Sequence, residues 1–274
     1  MQKQALRDKL SEVIGAAGGQ AVVAMSAEAH DEYELIEALA AQVRDRGREI
    51  GLPYVAVSAD IGDPEPMRDR DGRPFAETLF QWLDPGLHYW KDRGFALRSA
   101  FVFACRYTAE PFYFQDGRFG AWRPSRRLES IEVVQSADTV EIGTAIIAPA
   151  HLPGGVIGAI VWASPEVIDV RPVFEQRAAE LSILSLRFMA AYNDRGLSPD
   201  GLVHLTRREI QCLKWAAKGK TDGEIAEIVK ISMPTVRFHM RNAADKMGVA
   251  GRPQAVHRAS VLGYVGERQR ATRS

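Results

Sequence analysis

Between Leu205 and Val265 three helical apolar periodicities follow one another, and each is bounded by residues that start or stop a helix. Thr206 is placed to cap a first helix running to about Lys218, with Glu209 three residues on as its capping-box partner and Ile210, Leu213 and Ala217 as its inward stripe. Gly219 ends it. A second helix is expected from about Asp222 to Val229, offering Ile225, Ala226 and Ile228 to the same core. Ser232 then caps a third, in which Pro234 sits harmlessly in the first turn. The third helix turns Val236, Met240, Ala243, Ala244 and Met247 inward and leaves Thr235, Arg237, Phe238, Arg241, Asn242 and Lys246 outside. A fourth, from about Pro253 to Leu262, closes the bundle. Helices of this length and order make a helix-turn-helix with the third as its recognition helix.

The charge distribution agrees. The chain as a whole is neutral, yet residues 204–274 hold 14 Lys and Arg against 6 Asp and Glu, leaving 21 against 29 in the remainder, so a +8 module follows a −8 one. A basic face supplies the salt-sensitive attraction to a phosphate backbone, for which Lys220, Thr221, Ser232, Thr235 and Lys246 stand near helix starts and loops. Arg237 and Arg241, four apart on one face, are placed for guanine edges in the major groove, and Phe238 for a thymine methyl. The tripeptide Gly219-Lys220-Thr221 imitates the end of a phosphate-binding loop, but that motif needs a glycine where Lys214 stands.

Residues 205–263 resemble the LuxR-type helix-turn-helix. The resemblance rests on Leu205-Thr206, Arg208-Glu209, Gly219, Glu224-Ile225-Ala226, Ile231-Ser232, Thr235-Val236, His239, Asn242, Lys246-Met247, Val249, Arg252 and Ala255-Val256. Trp215-Ala216-Ala217 before Gly219-Lys220-Thr221, together with Phe238-His239, is most similar to the quorum-sensing branch. The resemblance implies that base reading falls on Arg237, Phe238 and Arg241. Gly251 departs from the family, which usually has Asn before the arginine.

The front of the chain is expected to be a separate domain of α+β class. Asp31–Arg48 has an amphipathic helical pattern, and Pro53–Ser58, Ile131–Val134, Ile142–Ala148 and Val156–Ala163 have the pattern of strands separated by glycine and proline turns. Residues 80–122 hold 13 of the chain's 23 aromatics, a density suited to lining a pocket or to packing a core. No apolar run approaches the roughly 18 residues of a membrane-spanning helix, and no signal-peptide stretch begins the sequence, so a cytoplasmic location is expected. Cys105 and Cys212 fall in different expected domains and imply no disulfide.

Phe101-Val102-Phe103-Ala104-Cys105-Arg106, Pro111-Phe112-Tyr113-Phe114 and Ile146-Ile147-Ala148-Pro149-Ala150-His151 with Gly155 are similar to the autoinducer-binding domain that precedes LuxR-type readers. The resemblance implies an N-terminal α/β/α sandwich followed by an all-α four-helix DNA-binding domain. The candidate ligand-binding residues, drawn from that aromatic stretch and from the matching positions, are Trp82, Tyr89, Trp90, Ser99, Phe101, Phe112, Phe114 and Trp122. The departures carry chemistry. The family's Asp-Pro pair, whose carboxylate accepts the amide proton of an acyl-homoserine lactone, falls on Ser99-Ala100; its Trp and Tyr fall on Gly86 and Trp90; its later Trp falls on Phe114 and its Gly on Ala145. A neutral hydroxyl makes a bond roughly half as strong as a carboxylate does, and Gly86 lacks the indole donor for a lactone carbonyl. A small apolar or aromatic effector other than a standard acyl-homoserine lactone is expected; a ligand-independent regulator and a true acyl-homoserine lactone receptor are the alternatives.

From Pro172 to Tyr192 the apolar residues Phe174, Ala178, Leu181, Leu184, Phe188 and Tyr192 recur at helical spacing, widened by Ile183 and Leu186. This helix is suited to covering its own sheet, to dimerisation, or to both. The expected organisation is an N-terminal extension at 1–30, a sensor and dimerisation domain at 31–193, a linker at 194–203, the DNA-binding domain at 204–265 and a basic tail at 266–274. The expected partners are double-stranded DNA with an inverted-repeat operator and a second copy of the chain, with no cofactor and no membrane. The competing class is an enzyme using Cys105 as nucleophile with His88 or His151 as base, although no motif places them together.

Overall fold

The computed structural model describes residues 32–63, 65–83, 99–131, 142–195 and 202–266. The chain divides into two compact units between residues 197 and 198. The Ile131–Val134 strand, apart from Ile131, falls outside the described residues, as do most of the linker, the N-terminal extension and all of the tail but Gly266.

The N-terminal unit is built on one antiparallel sheet. Its strands are β1 (Tyr54–Ser58), β2 (Phe112–Gln115), β3 (Arg118–Gly120), β4 (Thr144–His151) and β5 (Ile157–Ser164), in the order β1-β5-β4-β2-β3. Strand residues alternate between faces, so each strand serves two cores. Val55, Val57, Ile146, Ala148, Ile160 and Trp162 point to one, beside helix α1 (residues 32–49) and a long helix near the end of the unit. Ala145, Ile147, Phe112, Phe114 and Ala163 point to the other, with Ala100, Phe101, Ala104 and Cys105. Helices on both faces make the expected α/β/α sandwich, and because β4 is covered twice, all of it except His151 is buried.

β2 and β3 are strands that periodicity did not suggest, because the pair is only four and three residues long. The local signal was nonetheless present. Asp116 and Gly117 join them with φ of 50° and 74°, the two left-handed residues of a tight hairpin turn, and Asp-Gly between short apolar runs is its usual sequence mark. Two further helices of this unit, α2 (Phe75–Thr78) and α3 (Ala100–Cys105), are short, as is α4 (Arg126–Glu129).

α1 buries Ile36, Leu39, Ala40 and Val43 at the spacing of one helical face. At its end Gly47 allows a close approach: a Cβ there would lie 2.7 Å from the Leu52 carbonyl oxygen and 2.8 Å from Cδ1 of Trp162. The fully buried Trp162 ring fills that space and donates Nε1–H to the Val43 carbonyl at 2.9 Å. α5 (Arg171–Asp194) lies on the same face. Phe174, Ala178, Leu181, Leu184, Phe188 and Tyr192 are all buried there, and Ser185 Oγ donates to the Ala148 carbonyl of β4 at 2.8 Å. The stripe therefore covers the unit's own sheet, while Ile183 and Leu186 stay exposed, at 60% and 47%.

The C-terminal unit holds α6 (Arg207–Ala217), α7 (Asp222–Val229), α8 (Met233–Lys246) and α9 (Arg252–Val261) around one core. Thr206 and Glu209 form the expected capping box. The inward stripe of α6, however, is Glu209, Cys212, Leu213 and Ala216; Ile210 is half-buried and Ala217 exposed. The expected stripe is corrected because a charged residue, held inward by its capping duty, occupies the position that sets the phase of the face. Ile225 is buried as expected, but Ile228 is 41% exposed, since the last turn of so short a helix passes beyond the core. On α8 the inward set Val236, Met240, Ala243 and Ala244, with Met247 at its C-cap, is buried throughout. Gly251 precedes α9 with φ of 84° and ψ of 161°, a conformation that a side-chain-bearing residue rarely adopts.

Candidate nucleic-acid interface

Three of the four helices of the C-terminal unit are started by a hydroxyl. Thr206 Oγ1 accepts from Glu209 N, Thr221 Oγ1 from Glu224 N and Ser232 Oγ from Thr235 N. Capping of this kind satisfies backbone donors that a helix start leaves open, and here it fixes the entry angles of α6, α7 and α8. Thr221 and Glu224 close a second capping box, so the Thr-x-x-Glu spacing gives Thr221 a helix-starting role beside the phosphate contact expected of it.

With its apolar face buried, α8 presents Arg237, Phe238 and Arg241 to solvent, and Phe238 is 59% exposed although it is a large ring. Phe238 thus stands as an exposed ring between two exposed arginines on one face of α8. Phe238 and His239 meet edge to face at 5.7 Å. Arg241 makes no hydrogen bond or ion pair to any described residue, whereas Arg237 Nε donates to Asp222 Oδ2 at 3.3 Å.

The candidate phosphate contacts are already engaged. Lys220 Nζ donates to Glu224 Oε1 at 2.7 Å, and the Ser232 and Thr235 hydroxyls lie 2.7 Å apart. Lys246 Nζ lies 3.0 and 2.9 Å from the two carboxylate oxygens of Glu209, whose Oε2 also accepts from Thr206 N at 2.7 Å. Spacing along one helix could not show the Lys246 pairing, because Glu209 lies 37 residues away. Burial pushes the Glu209 carboxyl up, but the Thr206 N–H and the Lys246 ammonium outweigh it and hold the group below its ordinary value.

The Glu224 carboxyl is held down to about 2 from an ordinary 4.5, chiefly by Lys220 and then by the Thr221 backbone and hydroxyl. A carboxyl depressed in the folded state contributes stability that is complete above its unfolded value and is lost as pH falls through its folded value. Acid titration followed by far-ultraviolet circular dichroism is therefore expected to show a loss between about pH 4.5 and 2 that Glu224→Gln weakens. An identical acid profile for that variant would contradict the assignment.

In the N-terminal unit the structure brings five of the eight candidate ligand-binding residues to one face of the sheet. Phe101, Phe112 and Phe114 are buried there, joined by Phe119 at ring separations of 5.3 to 5.8 Å, and Trp82 packs partly buried on the same core. Ser99 is buried and its Oγ caps α3, accepting from Val102 N at 3.2 Å. Trp122 is not part of this group: its ring lies 5.5 Å from Phe174, on the α5 side, because the chain leaves β3 at the sheet's edge and crosses to the other face. Tyr89 and Trp90 lie outside the described residues, as do Gly86 and His88.

Cys105 and His151 do not pair through the thiol. The Cys105 thiol is buried, which pushes it up to about 12, and His151 Nε2 meets the Cys105 and Thr108 carbonyls at 3.0 and 3.1 Å instead of the sulfur. That nitrogen must carry the proton, since both partners are acceptors. His151 thus ties the end of α3 to β4. Among the described residues no helix is long and apolar enough to cross a membrane.

Residues 203–259 match the model of the bacterial regulatory proteins of the luxR family. Over 150 residues the chain is 36% identical to the HTH-type quorum sensing-dependent transcriptional regulator VjbR of Brucella ovis, covering 49% of this chain and 52% of that one. Over 61 residues it is 51% identical to the transcriptional activator protein VanR of Vibrio anguillarum, covering 22% and 25%. The matched stretch thus spans about half the length, 52%, of the VjbR protein. Among solved structures, SdiA in complex with octanoyl-rac-glycerol aligns with a TM-score of 0.46 at 16% identity, covering 90% of this chain and 98% of that one. The four helices with the exposed Arg237, Phe238 and Arg241 are accordingly a helix-turn-helix domain of the LuxR family of bacterial regulatory proteins.

Proposed function

We propose that the protein is a transcriptional regulator that binds double-stranded DNA sequence-specifically through α8, as a homodimer on an inverted-repeat operator, under control of a small apolar or aromatic effector sensed by its N-terminal unit. The observation that carries the DNA-binding half is the two-sided character of α8: a fully packed inner face and, outside, Arg237, Phe238 and Arg241 exposed together. The match to luxR-family regulators and the similarity to proteins named quorum sensing-dependent regulators support it. The proposed organisation is a sensor at 31–193, a linker at 194–203 and the DNA-binding domain at 204–265, working in the cytoplasm. Two copies would place two recognition helices on half-sites about 10 bp apart or a multiple of that.

Arg241→Ala is expected to cost about 1 to 3 kcal/mol of discrimination between an enriched duplex and its scrambled counterpart. Fluorescence anisotropy titrations at one fixed salt concentration measure this, and an unchanged ratio would remove Arg241 from base reading.

The effector reading rests on Ser99. A neutral hydroxyl already used as a helix cap stands where the resembling family has the carboxylate that accepts an acyl-homoserine lactone amide, so a ligand without that amide is favoured. Mass spectrometry of an organic extract from the purified protein, beside an unrelated protein handled identically, tests it. A specific small molecule near one per chain supports a sensor and its fragment masses name the class; none across expression hosts, with operator affinity the same from each, supports a ligand-independent regulator.

A further inference from the structure

Two arginines stand four residues apart on the exposed face of α8, and the structure treats them differently. Arg241 is untethered among the described residues, while Arg237, with a side chain 61% exposed, donates Nε–H across to Asp222 Oδ2 at 3.3 Å. Asp222 opens α7 and is only 25% exposed. It is held from behind: Arg252, at the start of α9, donates Nη1–H to Asp222 Oδ1 and Nη2–H to the Lys220 carbonyl. Three helices thus converge on one carboxylate. The other contact of Arg237 is a long one, Nη2 to Met233 Sδ at 3.8 Å.

We propose that Asp222 is a positioning residue for base recognition: anchored by Arg252, it fixes Arg237 through Nε and so presents the Nη1/Nη2 edge to the paired acceptors of a guanine. The inference rests on Arg237 being a base-reading residue. Its physical basis is the cost of ordering a long side chain. Arginine has a rigid planar fork on a flexible stem, and it reads O6 and N7 of guanine only when both N–H groups arrive together. A carboxylate that occupies Nε leaves the two terminal nitrogens for a bidentate contact and removes much of the rotamer freedom that binding would otherwise have to quench. Asp222 serves because it is itself immobile, being on a helix start with its second oxygen taken by Arg252. A free lysine or serine at the same place would not order the guanidinium. The arrangement also keeps the carboxylate's charge from facing DNA phosphates unpaired, since it is shared by two guanidinium groups.

The test uses the full chain and a duplex enriched by it from a random-sequence pool, with its scrambled counterpart as the non-specific probe. Asp222→Asn keeps the shape and an acceptor but removes the charge, and circular dichroism checks that α7 is intact; Asp222→Ser is the second variant should the amide disturb the helix start. Expected is a roughly tenfold fall in the preference for the enriched duplex, confined to one base-pair position per half-site, where 7-deazaguanine ceases to discriminate. In an Arg237→Ala background the same Asp222 substitution is expected to do nothing further. An equal loss in both backgrounds, or a uniform gain in affinity for both duplexes with a steeper salt dependence, overturns the proposal, the latter showing that Asp222 merely repels phosphates. If Arg237→Ala itself leaves preference unchanged, the base-reading assignment falls and this inference with it; if Arg237→Ala lowers preference and Asp222→Asn does not, only the inference falls.

Discussion

Trp162→Ala is expected to destabilise the N-terminal unit by about 3 to 5 kcal/mol, the range for removing a large buried aromatic. Trp162 is fully buried on β5, between β1 and β4, so its loss opens a cavity bounded by strands that cannot move inward. The end of α1 is fitted to the ring: Gly47 is a residue without a side chain where a Cβ would touch Cδ1 of the indole at 2.8 Å, and the Val43 carbonyl receives Nε1–H. The variant loses transfer energy, packing and a buried hydrogen bond together. Trp162→Phe separates them, retaining most of the ring volume and losing the donor, and is expected to cost less. Urea unfolding with hydrogen exchange followed in α1 and β5 measures both. A loss below about 1 kcal/mol for the alanine variant would mean that α1 and the sheet collapse onto each other far more freely than the close Gly47 approach implies.

Lys246→Ala is expected to cost the C-terminal unit about 2 kcal/mol, below the range for breaking a fully buried ion pair, because the Lys246 side chain is 39% exposed and solvent screens its end of the pair whereas Glu209 is 3% exposed. The carboxylate would remain inside with only Thr206 left to donate to it. The penalty is that of an uncompensated charge, so it should be relieved in the double variant with Glu209→Gln, which removes the charge but preserves an amide for the Thr206 cap. Protection of α6 and α8 amides from hydrogen exchange provides the readout. As a phosphate contact, the role its place in the sequence suggests, Lys246 would instead strengthen binding to all DNA alike. If protection were unchanged and affinity fell uniformly, Lys246 would be a phosphate contact first and the Glu209 pair incidental.

Those two residues mark where sequence reasoning works and where it stops. Helix starts were readable because capping is local: Thr206 with Glu209, and Ser232 before Pro234, carry their signal within four positions. The outward set on α8 was readable for a similar reason, since five inward apolar residues leave only one face for Arg237, Phe238 and Arg241. The stripe of α6 was displaced by one position because its phase is set by Glu209, a charged residue that hydrophobic periodicity passes over. β2 and β3 escaped because strands of four and three residues carry too little alternation, even with Asp116-Gly117 between them.

What the sequence by itself determined is whatever depends on neighbours along the chain: the α+β character of the front, the capped helices of the LuxR-type domain, the opposite charges of the two ends and the presence of Ser99 where the resembling family has a ligand-binding carboxylate. Only the tertiary structure decided which polar groups answer one another. Lys246 meets Glu209 across 37 residues, Arg237 meets Asp222 across 15, and Trp162 meets Val43 across 119. The physical reason is that an ion pair or a buried hydrogen bond needs two groups within about 3 to 4 Å, a condition set by how helices and strands pack and not by the identity of either residue alone.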